Sequence, residues 1–140
     1  MSLSPPTPFA FPVRIYWEDT DAGGVVYHAQ YLAFMERARS EWMRGIGFGQ
    51  ELLRETYGLC FVVRSMSIDF RAPARLDDSL AVSVGLAQCR GASLVFAQEV
   101  RRDGELLVGA EVKVAAVSAE TFRPQAIPDA LLAAFKPAQN

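Results

Sequence analysis

The chain has 140 residues, 51% of them apolar and 21% charged, with a formal net charge of −2. That length suits one domain, and that composition suits a buried core rather than a disordered chain. The slightly acidic balance gives no support for nucleic-acid binding, which favours a basic surface.

From the N-terminus, residues 1–12 hold Pro5, Pro6, Pro8 and Pro12 and are expected to form an extended arm ahead of a single domain over residues 13–136. The arm lacks a cationic start followed by an apolar run, so it does not read as a secretory leader. Val13–Glu18 alternates Val13, Ile15 and Trp17 with Arg14, Tyr16 and Glu18, the period of a strand. Asp19–Gly24 is turn chemistry, with two aspartates, a threonine and two adjacent glycines. A helix is predicted from Tyr27 or His28 to about Arg44. On its wheel Tyr31, Met35, Ala38, Trp42 and Ile46 share one stripe, with Leu32 and Met43 beside it and Ala33, Glu36, Arg37, Ser40 and Arg44 opposite. Arg39 falls inside the apolar arc and predicts a paired or snorkelling cation. The glycines of Gly45-Ile46-Gly47-Phe48-Gly49 follow a helix, and the third comes one place early for GxGxxG. They read as cap and linker, not as a nucleotide loop.

A second, short helix is predicted over Gln50–Tyr57, ending at Gly58. Strands follow at Cys60–Arg71, with Met66, Ile68 and Phe70 on one face, and at Ser79–Gln88, with Leu80, Val82, Val84 and Leu86 on one face. Gly91 turns the chain. Ser93–Arg102 and Glu105–Val117 flank Asp103-Gly104, a two-residue hairpin signal. A short helix near Asp129–Phe135 closes the chain, with Pro128 at its start and Pro137 just past its end. The only element large enough to cover the apolar faces of these strands is the long helix. The expected fold is therefore α+β, an antiparallel sheet wrapped around one long central helix. At least one strand edge stays open in such a sheet, which predicts a homo-oligomer.

His28 is the only histidine, and Cys60 and Cys89 lack CxxC spacing, so no metal site or cofactor is expected. Both thiols read as small buried hydrophobes of a reducing compartment. With no run of about 20 apolar residues to span a membrane, a cytoplasmic chain is the expectation.

The chemistry lies in Trp17-Glu18-Asp19-Thr20-Asp21-Ala22-Gly23-Gly24-Val25-Val26-Tyr27-His28. This segment puts two carboxylates in a glycine loop that feeds a helix N-terminus. There, unpaired N–H groups and a partial positive charge attract a developing oxyanion. Gly23 and Gly24 let backbone approach a ligand closely. Taken singly, each residue also has a plain reading, as turn former or helix cap.

The run from Glu18 to His28 resembles the signature of the 4-hydroxybenzoyl-CoA thioesterase family, and within it the acyl-CoA thioesterase branch associated with the Tol–Pal system. The resemblance continues through Tyr31, Phe34 and Glu36–Arg39, then Ile68-Asp69-Phe70, Pro73-Ala74, Asp77-Asp78 and Gly91–Leu94. It implies the hotdog fold and an acyl-CoA substrate, with Asp21 as the catalytic carboxylate. It also implies that the backbone N–H of His28 or Tyr27 faces the thioester oxygen, and that the His28 side chain acts as base or positioner. Gly24 and Val25 are expected beside the substrate. Arg90, next to the Gly91 turn, is the first candidate for the CoA phosphates, with Arg71 and Arg75 behind it. Relatives often carry Tyr where this chain has Trp17, so no hydroxyl role is assigned there, and Asp19 reads as a turn residue. Asp21 as nucleophile and Asp21 as general base both fit.

Other readings are a hotdog dehydratase of hydroxyacyl thioesters, a non-catalytic acyl-thioester or partner-binding module, and a structural subunit. The dehydratase group has a His-Phe-Pro type of spacing, whereas His28 is followed here by Ala29-Gln30-Tyr31. Intact Asp21 and His28 speak against a module without catalysis. Met35, Trp42, Phe61 and Val63 are the candidate lining of an acyl pocket.

Overall fold

The structure, a computed structural model, describes residues 9–138 and the side chains of residues 9–135. Strand β1 (Phe9–Arg14) leads through a 3-10 turn at Trp17–Asp19 into helix α1 (His28–Gly45) and helix α2 (Gln50–Tyr57). Strands β2 (Leu59–Phe70), β3 (Ser79–Arg90), β4 (Ser93–Arg102) and β5 (Glu105–Ser118) follow, and helix α3 (Asp129–Ala138) closes the chain. The five strands form one antiparallel sheet in the order β1-β3-β4-β5-β2. Helix α1 lies on this sheet, the hotdog arrangement expected from the sequence.

Three boundaries differ from expectation. Met1–Pro8 of the arm lie outside the described residues, but Phe9–Pro12 are already strand, paired with Val84–Ala81 of β3. Here the alternation of Phe9, Phe11 and Val13 facing inward extends back through Pro12. A proline is tolerated because β1 is an edge strand, where a missing N–H breaks no ladder on its open side. Strand pairing accordingly ends at Arg14, and Trp17–Asp19 curls into the 3-10 turn rather than extending the strand to Glu18. At the other end, α3 continues through Pro137 to Ala138, so Pro137 falls in the last turn.

The interior follows from the two periodicities. From α1, Tyr31, Phe34, Met35, Ala38, Trp42 and Met43 are buried; from β3, Leu80, Val82, Val84 and Leu86; from β5, Val108, Val112 and Val114. Leu32, expected beside the buried stripe, is 36% exposed, and Phe34 takes the interior position instead. Trp42 stacks on Phe135 of α3 at 5.7 Å and meets Phe96 edge-on at 5.5 Å, tying helix, sheet and C-terminal helix together. One polar pair lies within this apolar layer. Gln98 of β4 is buried, accepts a hydrogen bond from Arg39 Nη1 (2.8 Å), and donates to the Met35 and Ser83 carbonyls. The Asp103-Gly104 hairpin has φ of 51° and 84°, both central residues positive, as a type I′ turn requires.

Candidate active site

The segment from Thr20 to Val26 is a tight loop closed by an antiparallel bridge between those two residues. Within it the Asp21 N–H donates to the Val25 carbonyl and the Gly24 N–H donates to the Asp21 carbonyl. The Asp21 side chain accepts from the Gly23 N–H at 2.8 Å, an Asx turn of the kind aspartates form before glycine. Gly24 has φ of +79°, a conformation open to glycine and costly for other residues. Asp21, Gly23 and Gly24 are all exposed, and Val25 is half-buried.

Two anchors hold the loop against the start of α1. Asp19 is buried; its carboxylate accepts from the Tyr16 N–H (2.9 Å) and from Gln30 Nε2 in the first turn of α1 (2.8 Å). The second anchor is the stretch after β2. The Val26 N–H donates to the Ala74 carbonyl, Val25 bridges to Arg75, and the Ala74 N–H donates to the Tyr31 hydroxyl at 2.9 Å. Burial pushes the Tyr31 phenol above its ordinary value of 10.0, opposed by that hydrogen bond from Ala74. Asp78 in turn fixes this stretch by accepting from the Arg75 N–H (2.8 Å) and Arg102 Nη1 (2.7 Å). Burial alone would raise the Asp78 carboxyl, but these two hydrogen bonds and the Arg102 and Arg75 charges hold it below its ordinary 3.8.

The helix start is electrostatically open. No acidic side chain occupies the first turn of α1, and its N-cap residue, Tyr27, makes no side-chain cap. Of the two N–H groups expected at the oxyanion, that of Tyr27 is committed to the Asp19 carbonyl at 2.9 Å. It is therefore not a free donor. The His28 N–H has no acceptor among the described residues, as the first position of a helix implies. The exposed His28 ring lies 4.6 Å from the Tyr27 ring and 6.3 Å from Phe70, centroid to centroid. A cavity of about 270 Å³ opens beside it, lined by Val26, His28, Tyr31, Phe70, Arg71 and Pro73 among others. Asp21 is not among its walls.

The structure thus places Asp21, Gly24 and Val25 in one hydrogen-bonded loop that leads into the start of α1 at His28. Arg90 is not part of that group. It ends β3, a strand of 12 residues whose other end adjoins Asp78, and at about 3.3 Å per residue that is on the order of 40 Å away along the strand. Within one chain the nearer arginines are Arg75, bridged to Val25, and Arg71, which lines the cavity and pairs with Asp69 at 2.8 Å. Of the suggested acyl lining, Met35 and Trp42 are core, while Phe61 and Val63 line a different cavity beside α2. Sequence reasoning missed Gln30, Tyr31 and Asp78 as parts of the site's frame. Gln30 carried a signal, since a Gln at the third helical position is a frequent partner of the preceding loop.

Residues 15–135 match the thioesterase-like superfamily. The chain is 49% identical over 131 residues to the acyl-CoA thioester hydrolase YbgC of Escherichia coli O6:H1, covering 93% of this chain and 97% of that one. It is 48% identical over 127 residues to the acyl-CoA thioesterase YbgC of Haemophilus influenzae, covering 91% and 93%. Among solved structures, a probable thioesterase from Bartonella henselae superposes with a TM-score of 0.82 at 38% identity, covering 87% of this chain and all of that one.

Proposed function

Because this chain belongs to the thioesterase-like superfamily, we propose that it hydrolyses acyl-CoA thioesters and that Asp21 is the reacting carboxylate. One observation carries the assignment of Asp21: it sits in a loop tied directly to the start of α1, where the His28 N–H is unpaired. A thioester carbonyl lodged at that tip has its oxygen stabilised by the N–H and the helix dipole as negative charge develops. Gly24 and Val25 form the backbone edge along which the thioester lies.

Two routes complete the reaction. In one, the Asp21 carboxylate attacks the carbonyl carbon, the C–S bond breaks, and CoA leaves as thiolate. Water then opens the mixed anhydride to free acid and regenerates Asp21. In the other, Asp21 takes a proton from water, which attacks directly. The His28 side chain serves as base or positioner in either route. The same proposal includes the narrower placement in the acyl-CoA thioesterase branch associated with the Tol–Pal system, supported by the Glu18–His28 run.

Residues 13–136 form a single domain in this reading, and assembly as a homo-oligomer would close the exposed side of Asp21. Strand β2 is an open edge with Val63 and Phe70 each about half exposed, and pairing there covers apolar surface. A second copy, as in a dimer or dimer of dimers, is also what would bring Arg90 to a CoA phosphate. No helix among the described residues is long and apolar enough to cross a membrane. A cytoplasmic location fits the two free cysteines.

The test is release of free thiol from acyl-CoAs of graded chain length. The proposal expects CoA release well above the uncatalysed rate for at least one length. Absence of thiol release from every length contradicts it, and loss of water from a 3-hydroxyacyl-CoA without thiol release favours the dehydratase reading.

A further inference from the structure

Asp19 and Gln30 form a clamp across the start of α1 that departs from the usual helix cap. In a capping box, the side chain at the third helical position reaches back to the N–H of the N-cap residue. Gln30 holds that third position and Tyr27 is the N-cap. Here, however, the Tyr27 N–H donates to the Asp19 carbonyl at 2.9 Å, and Gln30 Nε2 donates to Asp19 Oδ1 at 2.8 Å. The second carboxylate oxygen, Oδ2, accepts from the Tyr16 N–H at 2.9 Å. One aspartate, only 5% exposed, thus ties the 3-10 turn, the N-cap and the first turn of α1 together.

This arrangement leaves two donors open. The Gln30 N–H donates to the Tyr27 carbonyl, but neither the His28 N–H nor the Ala29 N–H has an acceptor among the described residues, and both residues are exposed. A carboxylate is itself a favoured partner for such groups. Asp19 is the acidic residue already bonded to this turn, and each of its oxygens is engaged elsewhere. Burial makes an unmet acceptor costly, so an Asp19 carboxylate that loses Gln30 is drawn to the next open donors, those at the helix start.

We infer that Gln30 is a positioning residue for thioester hydrolysis. By holding Asp19 Oδ1 it keeps that carboxylate off the His28 and Ala29 N–H groups and leaves them to the thioester oxygen. The inference rests on the hydrolytic reading above and adds to it a side chain that touches no reacting atom. Without the amide, the Asp19 carboxylate competes with the substrate oxygen at the helix start.

The test compares kcat and KM for CoA release by wild type, Gln30→Ala, Gln30→Glu and the double variant Asp19→Asn/Gln30→Glu, with folding checked by circular dichroism. The double variant re-forms the contact with its polarity inverted: the asparagine amide donates to the glutamate, and its oxygen still accepts from the Tyr16 N–H. Each single variant is expected to lose at least about 10-fold in kcat, part of the roughly 10²–10³-fold that one oxyanion donor supplies, with a smaller change in KM. The double variant should recover most of that loss. Wild-type kcat in Gln30→Ala overturns the inference, and so does a double variant no better than Gln30→Glu. Amide exchange followed by NMR gives a readout without substrate: the His28 and Ala29 amides should exchange more slowly in Gln30→Ala, where the carboxylate caps them. Unchanged or faster exchange, the sign of mere loosening, contradicts the inference. Absence of thiol release by the wild-type protein is a different result, which overturns the hydrolytic reading and this inference with it.

Discussion

Gly23 and Gly24 serve Asp21 in different ways. A Cβ on Gly23 would meet Asp21 Oδ1 at 3.2 Å, tighter than ordinary contact, whereas a Cβ on Gly24 has open space around it but a φ of +79°. Gly23→Ala should therefore displace the carboxylate by a few tenths of an ångström while leaving the fold intact, lowering turnover by less than the roughly 10²-fold that a 1 Å misplacement costs. Gly24→Ala should destabilise the protein by about 1–2 kcal/mol through its left-handed backbone. Turnover and denaturant unfolding, measured on both variants, separate the two effects. Equal turnover in Gly23→Ala and wild type would mean that the carboxylate position does not matter. The loop and the helix start it feeds were legible in the sequence, because the Glu18–His28 run sets turn residues directly ahead of the helical pattern. The commitment of the Tyr27 N–H to the Asp19 carbonyl was not, since it depends on how the loop folds back rather than on any side chain. The same holds for the burial of Asp19, a residue that reads equally well as an exposed turn former.

Among the elements, the stretch between β2 and β3 matters most to the site, although it contributes no reacting group. Arg102 on β4 holds Asp78, Asp78 holds the Arg75 N–H, and Ala74 and Arg75 hold Val26 and Val25. Because the folded protein keeps the Asp78 carboxyl below 3.8, the ionised form stabilises the fold. That contribution is fully present above about pH 4 and is lost as the pH falls through the lower folded value. Asp78→Asn should consequently narrow the stability gap to wild type in acid, and denaturant unfolding between pH 2 and pH 7 checks it. A gap independent of pH would remove Asp78 from the frame. Long-range ties of this kind leave no local pattern in a sequence. The elements themselves do: alternation gave β3, the Asp103-Gly104 pair gave the β4–β5 hairpin, and the wheel gave α1. Alternation also ran through Phe9–Val13, but the prolines there masked it.

For the molecule as a whole, the sheet order was the least legible feature. Hairpins place β3, β4 and β5 side by side, but only long-range packing puts β1 against β3 and β2 against β5. That order leaves β1 and β2 as edges, separates Arg90 from the start of α1 by the length of β3, and leaves Asp21 exposed in the single chain. In the mechanism proposed above, hydrolysis depends on the Asp21 carboxylate in the loop that leads into α1, whatever closes over it. The most direct measurement is turnover of the preferred acyl-CoA by Asp21→Asn, which keeps the size and the loop but removes the charge. A loss of about 10²–10⁴-fold, with folding and assembly unchanged, is the result predicted for a nucleophile or general base. Wild-type turnover in that variant would contradict the account.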